Sequence, residues 1–119
     1  MKDRILENKS IDFAVRIVKF YKFLCEEKKE YVLSKQVLGS GTSIGANIRE
    51  SRNAHSKADF INKLNVALKE ADETQYWFEV MEKSEIINSE QVESLNKDLS
   101  ELIAILVSSL KMLKNVKNE

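Results

Sequence analysis

The chain has no proline, one cysteine, one histidine and only three glycines in 119 residues. Without proline, and with no glycine outside one short stretch, it lacks the residues that turn the corners of β-rich and α/β domains. Cys25 has no partner for an intrachain disulfide, and beside Phe23 and Leu24 it reads as a small buried hydrophobe. The shortage of histidine argues against di-iron sites built on two Glu-x-x-His pairs, against zinc ligation and against histidine-based nucleophilic dyads. The residue three before His55 is Arg52, not a glutamate. No apolar run approaches the roughly 18 residues that cross a membrane. Residues 1–7 also lack the apolar stretch of a signal peptide, so the expectation is a soluble, cytoplasmic protein without a membrane partner.

Charge of one sign is missing too, since 19 basic residues balance 19 acidic ones. A global electrostatic pull on nucleic acid is therefore absent. The distribution is uneven: residues 31–55 carry Lys35, Arg49 and Arg52 against Glu50 alone, and residues 56–119 are net acidic. A local basic face on the first half is the most that this allows.

All three glycines fall within residues 39–50, Gly-Ser-Gly-Thr-Ser-Ile-Gly-Ala-Asn-Ile-Arg-Glu, which look at first like a phosphate-cradling loop. A Walker motif needs Lys-Ser or Lys-Thr after its last glycine, and Ala46-Asn47 stands there. A dinucleotide fingerprint would put its third glycine at position 44, which is Ile44, and would need a preceding strand. Gly41 and Gly45, one turn apart, read instead as helix-packing positions where another backbone approaches closely.

The apolar spacing predicts four helices. The first runs over about 10–29 with Ser10 as N-cap; its polar stripe Asp12, Arg16, Lys19, Lys22 and Glu26 leaves an apolar face wider than one bundle needs. Phe13 and Phe20 on that face are the candidate oligomer interface. The second helix spans about 31–54, with Leu33, Val37, Ser40, Ile44, Asn47/Ile48 and Ser51 along one side. It is continuous or slightly kinked if close packing offsets the glycines, or else it breaks near Gly39 to Gly41 and restarts at Thr42 or Ser43.

Ser56-Lys57-Ala58-Asp59 opens the third helix as a capping-box variant, followed by Phe60, Leu64, Ala67/Leu68, Ala71, Thr74, Phe78 and Met81. Ser89-Glu90 caps the fourth, whose Val92, Leu95, Leu99, Leu102, Leu106, Ser109/Leu110, Leu113 and Val116 keep near-heptad spacing. Ile103, Ile105, Val107 and Met112 add apolar surface beside that stripe. Short connections make neighbours antiparallel, so residues 1–119 read as one all-α domain, an up-down-up-down antiparallel four-helix bundle with apolar surface left for assembly.

Few side chains suggest a site. Asn47, on or beside an apolar stripe, is expected to fix the register of helices two and three, or else to bind a ligand. Asn47, Glu50, Glu70 and Glu73 together are the alternative to a non-enzymatic reading, a small-molecule-binding or catalytic bundle. Lys9, Arg16, Lys19, Lys22, Arg49 and Arg52 are the candidates for nucleic-acid contact, although Asp12 and Glu26 share the helix-one stripe and favour an ordinary solvated face. No cofactor or metal is expected.

Three runs carry a resemblance: Gly41-Thr42-Ser43-Ile44-Gly45-Ala46-Asn47-Ile48-Arg49-Glu50-Ser51, then Ser56-Lys57-Ala58-Asp59-Phe60, then residues 67–77 from Ala67-Leu68-Lys69-Glu70 to Gln75-Tyr76-Trp77. The chain resembles the small four-helix-bundle proteins encoded in intervening sequences of bacterial 23S rRNA genes, many of which carry glycine where Ser51 stands here. The resemblance implies a homo-oligomer, a pentamer, without enzymatic activity. It also implies kinship with the accessory protein of diversity-generating retroelements, and hence structured RNA or a nucleic-acid-processing protein as partner.

Overall fold

A computed structural model describes residues 2–115, which form four helices and no strand. They are α1 (Lys2–Glu26), α2 (Leu33–Ser51), α3 (Lys57–Lys83) and α4 (Ser89–Asn115), packed into a bundle of 52 × 22 × 21 Å. Helix α1 lies against α2 and α4, and α3 lies against α2 and α4, while the diagonal helices α1 and α3 meet through core side chains such as Phe20 and Phe78. Along the α1–α2 seam Glu7 meets Arg49, Ser10 meets Gly45 and Ile17 meets Gly41. Between α2 and α3, Ser40 meets Thr74 and Glu50 meets Lys63.

Helix α1 begins eight residues earlier than the Ser10 cap predicts. Residues 2–9 contain no breaker, and Leu6 extends the core stripe Ser10, Phe13, Ile17, Phe20, Leu24 back by one turn. Ser10 sits inside the helix, its hydroxyl donating to the Glu7 carbonyl at 2.7 Å. The helix stops at Glu26, before the predicted 29, because Lys29 turns left-handed (φ 53°) and the Glu30 N–H folds back onto the Leu24 carbonyl at 3.0 Å. The Glu30 carboxylate then accepts the N–H groups of Val32, Leu33 and Ser34 at 3.3, 3.1 and 2.7 Å, capping the first turn of α2 where no local side chain does so.

Helix α2 is unbroken through all three glycines, none of which has a positive φ. A Cβ built on Gly41 would lie 2.8–3.0 Å from three side-chain atoms of the fully buried Ile17, so glycine is what lets the two helices approach. Gly45 faces Ser10 with a 3.2 Å clearance to its hydroxyl oxygen. Gly39 faces open space. Beyond Ser51 the N–H groups of Arg52, Asn53 and Ala54 reach back three residues at 3.1–3.2 Å, and that tighter turn ends the helix before the predicted 54.

The expected cap of α3 is present: Ser56 accepts the Asp59 N–H at 3.0 Å, and Asp59 in turn accepts the His55 N–H at 3.1 Å. The helix ends in a Schellman turn at Glu85 (φ 65°), where the Ile86 N–H bonds the Met81 carbonyl at 2.9 Å. Helix α4 is capped one residue earlier than Ser89. Asn88 and Gln91 exchange side-chain and backbone hydrogen bonds at 2.8 and 2.9 Å, a reciprocal box that the Ser89-Glu90 reading overlooks.

The predicted stripes of α2, α3 and α4 supply most of the core, with Phe78, Met81, Leu99, Leu102 and Leu106 fully buried. Val116 of the α4 stripe lies outside the described residues. Phe13 and Phe20, the candidate interface residues, belong to the core of the single chain. They are 1% and 6% exposed within a single chain, and Phe20 packs edge-on against Phe78 with ring centres 5.7 Å apart. The apolar face of α1 is wide enough that its centre points inward, and only its margin remains for a partner. Of the surplus on α4, Ile103 and Ile105 pack against the core, while Met112 stays exposed.

Candidate functional site

The margin of α1 that the core does not use carries Ile11, Val15 and Val18, at i, i+4 and i+7 on one face. They are 40%, 49% and 38% exposed, where the core stripe of the same helix is nearly inaccessible. They border a shallow groove of about 330 Å³ whose opposite wall is Thr42, Gly45 and Ala46 of α2. The small residues that bring α1 and α2 together thus also keep this outer groove smooth and apolar. Contiguous exposed apolar surface of this kind marks interaction sites.

Arg49 borders this groove and leads to a charge cluster at its end. Glu7 of α1 is buried and clamped by two guanidinium groups from the end of α2, Arg49 Nε on Oε2 and Arg52 Nε on Oε1, the latter at 3.0 Å. Burial pushes the Glu7 carboxyl up, but the hydrogen bond from Arg49 and the charges of both arginines outweigh it and hold the group below its ordinary value of 4.5. A depressed folded-state pKa contributes stability above the unfolded value and loses it as pH falls through the folded one. Glu7→Gln is therefore expected to melt several degrees lower than wild type at pH 7, with the two melting curves converging as pH drops below about 4.5 in thermal denaturation.

The other basic candidates divide. Arg16 pairs with Asp98 and donates to the Ser94 hydroxyl at 3.0 Å and carbonyl at 3.3 Å; Lys9 pairs with Glu101 at 3.2 Å. Both bind α1 to α4, the seam with the least direct packing. Lys19 and Lys22 stay exposed on α1.

Asn47 does not join helices two and three by hydrogen bonding. Its amide donates to the Ser43 carbonyl of its own helix at 2.9 Å, because a half-buried side chain one turn away reaches that acceptor first. The buried hydroxyls of Ser40 and Thr74, 2.8 Å apart, bridge α2 and α3 instead. Glu50 pairs with Lys63 at 3.0 Å, and Glu73 accepts from the Trp77 indole at 3.4 Å. Burial and then the neighbouring Glu73 charge raise the Glu70 carboxyl above its ordinary value. None of the principal cavities is lined by Asn47, Glu50, Glu70 or Glu73. Among the described residues no three His, Cys, Asp or Glu side chains gather to hold a metal, and no helix is long and apolar enough to cross a membrane.

The family described as 23S rRNA-intervening sequence protein matches residues 2–108. The chain belongs to that family. A crystal structure of a protein of unknown function from the S23 ribosomal protein family, from Bacteroides thetaiotaomicron, is 59% identical and superposes with a TM-score of 0.90, covering 93% of this chain and 99% of its own. No curated protein matches. Neither description names a catalysed reaction.

For this member of the 23S rRNA-intervening sequence family, sequence reasoning missed Glu7 because the first helix was started at Ser10. The signal was present: continuing the Phe13, Ser10, Leu6 steps backwards places an acidic residue beside the core stripe, where only a charged partner would tolerate it.

Proposed function

We propose that the chain is a non-catalytic, cytoplasmic interaction module, an up-down-up-down bundle that assembles into a homopentamer and contacts structured RNA or a protein that processes nucleic acid. The single observation carrying the reading is the exposed Ile11–Val15–Val18 stripe beside the smooth α2 groove. The opposed order of contacts along the α1–α2 and α2–α3 seams supports the up-down course of the helices. Five-fold symmetry and the link to retroelement accessory proteins rest on the family likeness.

Assembly also bears on nucleic acid. Arg16, Arg49 and Arg52 are already engaged with Asp98 and Glu7, so of the candidate contacts only Lys19 and Lys22 stand exposed outside those ion pairs in one chain. A ring repeats that small patch around its axis, and several weak phosphate contacts then add.

Light scattering with size-exclusion chromatography tests the assembly. Wild type is expected near five times the 13.7 kDa of one chain, and Val15→Glu near one. Val15 is half exposed, so the variant should keep its helical circular dichroism. A wild type that runs as a monomer at micromolar concentration removes the proposal. Binding of the intact oligomer to 23S rRNA fragments and to random duplexes across a salt series separates the partners: fragment-selective binding at physiological salt supports RNA, and equal, salt-labile binding leaves the protein partner.

A further inference from the structure

Below the Glu7 cluster all four helices enclose a cavity of about 190 Å³. Leu6, Ile48, Phe60, Leu64 and Leu113 contribute apolar walls. Charge comes from one place, the facing turns of α1 and α2 that bring Glu7 and Arg52 together. We propose that this cavity is a binding site for a medium-chain alkyl carboxylate, with the tail among the apolar walls and the head on Arg52.

The sign of the head group follows from the cluster. Glu7 alone would favour a cation, but two guanidinium groups already surround it, and the trio carries a net positive charge. Arg52 spends only Nε on Glu7; among the described residues its two terminal nitrogens make no hydrogen bond or ion pair. A guanidinium edge held in this way matches a carboxylate through two parallel N–H donors. The Arg52 side chain is 61% exposed, so the head would sit at the mouth and keep part of its hydration while the tail is buried. Glu7 acts as the positioning residue that aims the arginine.

The length of the tail follows from volume. A dry cavity of roughly 150 Å³ holds benzene, so the space available here suits about six to eight carbons. Ser51 does not compete for the head group, since its hydroxyl donates to the Ile48 carbonyl at 2.6 Å. This site lies apart from the Ile11–Val15–Val18 groove, so it stands or falls independently of the assembly proposal.

The test is calorimetric titration of the full chain with octanoate, 1-octanol, octylamine and the shorter hexanoate and butanoate, with carbon-13 methyl NMR to locate them. Octanoate is expected to bind one per chain, shifting the Leu64 and Leu113 methyls. Affinity should rise about fourfold per added methylene from butanoate to octanoate, the gain from burying each one. Octanoate should bind at least about fivefold tighter than octanol, a charge-assisted bidentate pair supplying the difference, and octylamine weakest of the three. Arg52→Gln should erase the preference of octanoate over octanol, bringing the two affinities to within about twofold of each other. Ser109→Phe, filling the cavity from α4, should abolish all of it. No saturable octanoate binding in the millimolar range, equal binding of octanoate and octanol, methyl shifts confined to other residues, or an Arg52→Gln variant with its preference intact would each overturn the assignment.

Discussion

Phe13→Ala is expected to lower stability by about 3–5 kcal/mol while leaving the mass of the folded protein unchanged. Phe13 is among the largest fully buried side chains, on a helix that packs against both α2 and α4. Truncating it removes the transfer energy of a phenyl ring and leaves a void that a close-packed interior refills only in part. Against a total of about 5–15 kcal/mol for an ordinary domain, that is a large fraction. Denaturant titration with light scattering on the folded fraction checks it. A variant that stays stable but dissociates would return Phe13 to the subunit interface. Together with Val15→Glu, two residues away and on the other side of the helix, the experiment separates the inward and outward faces of α1.

The second large effect is a contrast between glycines. Gly41→Ala is expected to destabilise by about 1–2 kcal/mol, and Gly39→Ala to stabilise by about 1 kcal/mol. Both substitutions gain the same helix propensity. They differ in what the new methyl meets: nothing within 4 Å at position 39, and three Ile17 atoms at 2.8–3.0 Å at position 41. Two of those atoms hang directly from the Ile17 Cβ, whose torsion in a helix is stiff, and Ile17 is fully buried, so it cannot step aside. The chain must separate α1 from α2 or strain a rotamer. Ile17→Ala, which removes all three crowding atoms, should cost less in the Gly41→Ala background than in wild type, a coupling that a double-mutant cycle measures. Additive effects, or a stabilising Gly41→Ala, would mean that the close approach is not what position 41 supplies.

These two contrasts show where sequence reading stops. The Gly41/Gly45 spacing announces a close helix contact but does not say which helix fills it; α3, carrying the Ser40–Thr74 bridge, and α1, carrying Ile17, were equally compatible with the pattern. Phe13 and Val15 are both apolar residues on an overwide face. Periodicity shows that such a helix has too much apolar surface for one bundle, but not which part of it turns inward, because that depends on the angle at which α2 and α4 meet it. Asn47 illustrates the same limit for polar groups. A half-buried amide needs partners, and whether it finds them in its own turn or across a seam depends on distances that spacing does not encode.

The Glu7 cluster was hidden for a different reason. Its three members are 42 and 45 residues apart along the chain, and each alone reads as an ordinary surface charge. Only when α1 extends back to Lys2 and α2 ends at Ser51 do they meet, and the same meeting creates the cavity mouth. At that end the apolar rhythm misplaces the start of α1, where residues 2–9 hold no breaker, and the end of α2, where the N–H groups of Arg52, Asn53 and Ala54 tighten into three-residue turns, since helix ends depend on local hydrogen bonds rather than on periodicity.

The absence of proline, the confinement of glycine and the 3.6-residue apolar rhythm are enough to make this chain all-α, with four helices in these places, because they admit little else. The stretch around Gly41 to Ser51 likewise carried the family. Which apolar face is core and which is surface, which arginines are engaged, and where a cavity opens emerge in the packed bundle alone. Those outcomes rest on the relative rotation and approach of packed helices, and that geometry is settled by the whole set of contacts at once rather than by any local run of residues.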